Sequence, residues 1–127
     1  MTECTPAHDS SLLTAFRERV SIHPHAEAVR FLERGDVDGP QQALSYAELD
    51  SKARAWAAEL QRRSAARSVP LRGERIVLLH PQSLDLVVAL FACFYAGAVP
   101  VVCPAPPRAN LRRKLDRLRS IVSDCTP

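Results

Sequence analysis

Glycine is scarce in this chain, with four in 127 residues, and none stands in a Gly-Lys-Ser/Thr phosphate loop, a Ser/Thr-rich glycine loop or a nucleophile elbow. A backbone built to wrap phosphates is therefore not expected here. His-Glu-x-x-His is missing as well. The four cysteines, Cys4, Cys93, Cys103 and Cys125, show no close pairing, and most lie in or beside apolar runs, so buried thiols in a reduced, cytoplasmic chain are expected in place of a zinc site. No basic stretch followed by an apolar one opens the sequence, so no secretory signal is expected. Charge of one sign is also in short supply: 17 basic against 14 acidic residues leave a net +3, which names no partner.

What is present is apolar surface, 46% of the composition, enough for about one domain with a real core. The run from Leu86 to Cys103 approaches the span of a bilayer. Gly97 and Pro100 interrupt it, and a buried helix followed by a short strand accounts for the same residues, so no membrane partner is expected.

Apolar periodicity predicts an amphipathic helix from about Ser11 to Val20, carrying Leu12, Leu13, Phe16 and Val20 on one side. Ala28 to Leu32 and a return strand near Ala43-Leu44 flank a polar loop and read as a β-hairpin. Asp36 and Asp38, beside Gly35 and Gly39, read as turn formers and not as a catalytic pair. His23 and His25 flank a proline with no third ligand at a recognisable spacing, which reads as a solvated turn. Ser45-Tyr46-Ala47-Glu48 fits a capping box, and the helix it opens carries Leu49, Ala53, Trp56, Ala57 and Leu60 at core spacing. Residues 64–72 read as an internal linker.

Beyond it, Ile76 to Leu79 is an apolar run of the kind buried on both faces of a parallel sheet. Ser83 can cap a helix from Leu84 to Ala96, Gly97 can end it, and Val99 to Cys103 supplies a second strand. The fold class is therefore α/β, with a hairpin and helices leading into a β-α-β-α parallel-sheet unit. The last helix, with Asn110 as its expected cap, places Leu111, Leu115, Leu118 and Val122 inward. Two features remain as candidate sites. Pro104, Pro106, Pro107 and Arg108 leave the second strand at its carboxyl end, where open α/β sheets place ligands; spacing alone leaves a stiff wall and a plain connector equally open. Arg108, Arg112, Arg113, Lys114, Arg117 and Arg119 line the last helix as a solvated face or a docking face for an acidic partner; without interleaved aromatics, nucleic acid is not the expected partner.

Phe31-Leu32-Glu33 with the segment Leu44 to Asp50 resembles the first core motif of adenylate-forming enzymes, and Leu90 to Pro100 resembles the second. The proline run and the helix after it are similar to those of the fatty acyl-AMP ligases within that superfamily. Ala92 stands where the family commonly has glycine, and Gln82-Ser83 where it commonly has Pro-Gly.

The resemblance implies that residues 1–127 form a partial N-terminal AMP-binding domain, inactive alone, with no catalytic residue, cofactor or metal site of its own. The parent enzyme would use ATP and magnesium to couple a fatty acid to AMP, then pass the acyl group to an acyl carrier protein in lipid, polyketide or lipopeptide synthesis. Its partners would be the remainder of the ligase domain and that carrier protein. By the same resemblance, Pro104, Pro106, Pro107 and Arg108 would wall the pantetheine entrance and block coenzyme A. An acyl-CoA synthetase or amino-acid adenylation domain is the alternative among enzymes. A non-catalytic module for protein or nucleic acid binding is the alternative of another class.

Overall fold

A computed structural model describes residues 11–104 and 111–125. Helix α1 (Leu12–Ile22) starts at Ser11, whose hydroxyl accepts from the Thr14 amide at 3.2 Å. It runs two residues past its expected end, to where His23 closes it by donating its N–H to the Arg19 carbonyl at 2.8 Å. Strands β1 (Glu27–Leu32) and β2 (Gln41–Ser45) pair antiparallel, as the hairpin pattern predicts. The loop between them is held by its own backbone: Gly35, at φ +70°, donates to Leu32, and the Asp36 carboxylate accepts from the Asp38 amide at 3.1 Å.

Helix α2 (Tyr46–Arg67) opens with the expected capping box, the Glu48 amide donating to the Ser45 hydroxyl and the Ser45 amide to the Glu48 carboxylate. Residues 64–67, expected as linker, are its last turn. Ala65 and Ala66 favour helix, and Glu59 ties down Arg62 and Arg63 one turn earlier, so this end is held by local terms and not by burial. Left-handed Ser68 ends it. The polar, non-periodic pattern that suggested a linker is that of a helix end standing in water.

Strands β3 (Arg75–Leu78) and β4 (Val99–Val102) are parallel, joined through α3 (Leu84–Ala96), which Ser83 caps and Gly97 ends at φ +73°. Leu79, expected in β3, falls outside it and is 45% exposed. Val99 donates to the Glu74 carbonyl and Cys103 to that of Leu78, so the backbone groups of positions 100 and 102 turn outward. Pro100, with no N–H to offer, occupies that outer edge of β4.

Helices α2 and α3 form the main packing pair. Phe16, Leu44, Leu49, Leu84 and Val88 make one core beneath the hairpin; Leu78, Ala89, Cys93 and Ala98 make a second beneath the parallel strands. Helix α4 (Leu111–Cys125) packs more weakly, and Arg75 reaches its end by donating to the Cys125 carbonyl at 2.7 Å. The Asn110 cap expected for α4 lies outside the described residues.

Candidate functional site

Because β3 and β4 are parallel, Leu78-Leu79-His80 and Val102-Cys103-Pro104 leave the sheet at the same end, the carboxyl edge. Cys103 is sealed there, 1% exposed, and Pro104 follows it into solvent. Of the four residues singled out at this edge, the structure places Pro104; Pro106, Pro107 and Arg108 lie outside the described residues. Cys93 is fully buried, and burial alone pushes its thiol above the ordinary range, away from nucleophilic chemistry. His23 and His25 are exposed, and among the described residues no group of His, Cys, Asp or Glu is arranged to hold a metal ion.

Beside the same strand end lies a groove of about 300 Å³ between α2, α3 and β3. Leu60, Ile76, Leu78, Ala89 and Cys93 form an apolar lining, with Glu59, Arg63 and His80 supplying the polar groups. Trp56, expected in the core by its helical spacing, is instead 36% exposed and lines this groove, its ring stacked on His80 with centroids 6.1 Å apart. The spacing was right for the helix face and silent on what that face meets: α3 covers Ala53 and Ala57, while Trp56 reaches past it. The signal available in the sequence was Trp56, Leu60 and Arg63 on one face together with a histidine ending the next strand.

A polar cluster not anticipated from the sequence joins α2 to α3. Tyr95 donates its hydroxyl to Asp50, while Arg54 pairs with the same carboxylate at 2.9 Å and lies over the Tyr95 ring, 4.9 Å from its centroid. Burial, then the Asp50 carboxylate, raises the Tyr95 phenol above its ordinary value, so it remains a proton donor at neutral pH. The arrangement locks two helices and offers no free group for proton transfer.

On α4, Arg112, Arg113, Lys114, Arg117 and Arg119 are all exposed, while Leu115, Leu118 and Ile121 are half-buried. Val122, expected to face inward, is 36% exposed.

Comparison with known proteins adds to this geometry. Residues 16–127 match the AMP-binding enzyme family. A medium-chain fatty-acid–[acyl-carrier-protein] ligase, JamA of Moorena producens, is 40% identical over 91% of this chain and 18% of its own length. The long-chain fatty-acid–AMP ligase FadD32 of Mycolicibacterium smegmatis is 34% identical over 94% of this chain and 18% of its own. A fatty acyl-adenylate ligase of Legionella pneumophila, solved with acyl adenylate and pyrophosphate, superposes with a TM-score of 0.77 at 31% identity, over 92% of this chain and 19% of that one. The chain thus spans about 18% of the length of the curated relatives it matches.

Proposed function

This chain belongs to the AMP-binding enzyme family, and from that membership we propose that it serves as the N-terminal part of a fatty acyl-AMP ligase. Such an enzyme activates a fatty acid as its acyl adenylate and passes the acyl group to an acyl carrier protein. The observation that carries the reading is the joint likeness, in sequence and in backbone, to relatives named for fatty-acid adenylation.

The role of these residues in that reaction is architectural. ATP and magnesium would supply the leaving pyrophosphate and its charge neutralisation, but the described residues present neither a phosphate loop nor a metal cluster, so no step is assigned to them through either group. What they supply is a strand–helix–strand unit whose carboxyl edge delivers Pro104 to the surface. There Pro104, Pro106, Pro107 and Arg108 would form a stiff wall beside the pantetheine entrance, favouring a carrier-borne thiol over free coenzyme A.

The test grafts residues 16–127 onto the JamA ligase in place of the matching stretch and follows fatty-acid-dependent pyrophosphate release, then acyl transfer to holo carrier protein and to coenzyme A. Adenylation with preferential loading of the carrier is expected. Replacing Pro106 and Pro107 by glycine should raise transfer to coenzyme A. Equal transfer to both acceptors before any substitution would refute the assignment.

A further inference from the structure

We propose that the exposed basic face of α4 is a docking surface for the acidic surface of a carrier protein. The inference rests on the ligase reading above and adds to it the place where the acyl acceptor is recognised.

The charge distribution is the starting point. Helix α4 holds five basic and two acidic side chains, so it alone accounts for the chain's net +3, and the rest of the sequence is balanced. On α2 three of the four arginines are compensated: Arg54 pairs with Asp50, and Arg62 and Arg63 with Glu59. On α4 one ion pair is seen, a loose Arg119–Asp116 contact at 3.9 Å, and Arg112, Arg113, Lys114 and Arg117 have no ion-pair partner among the described residues.

Helix stability does not explain that placement. Arg112, Arg113 and Lys114 occupy the first turn of α4, where the helix dipole disfavours cations, whereas α2 and α3 carry Glu48 and Asp85 in theirs. Like charges crowded at the unfavourable end cost folding energy unless something anionic meets them. Solubility alone would be served as well by the mixed charges found on α2. Acidic helical proteins are the complementary class: an uncompensated cationic face raises their encounter rate and fixes their orientation, at contacts that leave water only at the rim. Duplex nucleic acid fits less well, since no aromatic or amide side chain on α4 stands ready to read or stack on bases.

The experiment titrates a fluorescently labelled holo acyl carrier protein with the 127-residue chain at low salt, about 20 mM, and again at about 500 mM. R113E/R117E should weaken binding about tenfold at low salt, and the difference should vanish at high salt. R17E/R19E on α1 changes net charge equally and should alter affinity less than about twofold. Equal losses in the two variants, no measurable binding, or tighter binding to duplex DNA or anionic lipid vesicles than to the carrier would overturn the proposal. In the JamA graft, R113E/R117E should leave pyrophosphate release unchanged and raise the KM for holo carrier. A graft that makes no adenylate counts against the ligase reading, while one that makes adenylate with an unaltered carrier KM counts against the docking face alone.

Discussion

In the half of the molecule built from α1, the hairpin and the faces of α2 and α3 beneath it, Phe16, Leu49 and Val88 are 6% exposed or less; on and beside the β3–β4 pair, Leu79, Val99 and Val102 are 45% exposed or more. Both halves carry large apolar side chains. They differ in how their structure closes. The hairpin pairs with its own neighbour and lies on α1, α2 and α3, whose buried side chains complete its core. Parallel strands need covering on two faces and pairing on two edges, and a single crossover helix meets only part of that demand. Phe16, Leu49 and Val88 are thus covered from several sides, while Leu79, Val99 and Val102 meet water.

The largest effect that can test this contrast is a pair of truncations. Phe16 packs its ring 4.4 Å from that of Phe91 and 6.0 Å from that of Tyr46, centroid to centroid. Phe16→Ala should lower stability by about 3–5 kcal/mol, and Val102→Ala by less than about 0.5 kcal/mol, in urea titrations followed by circular dichroism. Comparable losses at the two positions would erase the distinction between the halves.

Next in size is the polar tie between α2 and α3. Tyr95→Phe keeps the ring under Arg54 and removes the hydroxyl that donates to Asp50, whose side chain is 15% exposed. A loss of roughly 1–2 kcal/mol is expected, since the acceptor is charged and only partly hydrated. If Tyr95→Phe is silent while Asp50→Ala is costly, the Arg54 pair alone holds the helices.

The closed half was largely legible in the sequence because its signals are local. Ser11, the Ser45–Glu48 box, Ser83 and Gly97 fix helix ends through neighbours within four residues, and each stands where the pattern put it. Helical spacing points Trp56 into the core and polarity marks the end of α2 as linker, and the structure differs at both places for one shared reason. Periodicity reports which residues share a face, but not whether another element arrives to cover it. The groove at Trp56 and His80 and the Asp50–Arg54–Tyr95 cluster each join residues at least 24 positions apart across separate elements, and no spacing rule reaches that far.

A smaller effect separates the open end of α2 from its buried middle. Glu59 accepts hydrogen bonds first from Arg62 and then from Arg63, which lowers its carboxyl from the ordinary 4.5 to about 2. The folded value is depressed, so this contribution to the helix is complete above pH 4.5 and is lost as pH falls toward about 2. Helical circular dichroism should therefore decline across that window in the wild type and decline less in Glu59→Gln. The change should be slight, because both partners are exposed and water and salt screen the pair. A Glu59→Gln profile that overlays the wild type would show that the last turns of α2 stand on backbone propensity alone.

The smallest expected change in stability accompanies the most direct probe of the open half. At 45% exposure Leu79 already touches water, so Leu79→Lys should move folding stability by no more than about 0.5 kcal/mol. Its effect should appear in assembly. Pro100 withholds a donor from the outer edge of β4, but β3 has no proline, and Val77 stands between the residues that bond to β4 and so points its backbone groups the other way. At Val77 that edge meets no other strand among the described residues, and next to exposed apolar side chains it is a template on which a second chain can pair. Light scattering of the 127-residue chain should show mass rising with concentration, and a lysine at position 79 should suppress the rise, because pairing would bury its charge. Were the wild type monomeric at all concentrations, the edge of β3 would have to be satisfied within the chain, and the open half would be as closed as the hairpin side. Were both proteins to associate equally, the contact would lie elsewhere, and the exposed face of α4 would be the next surface to alter.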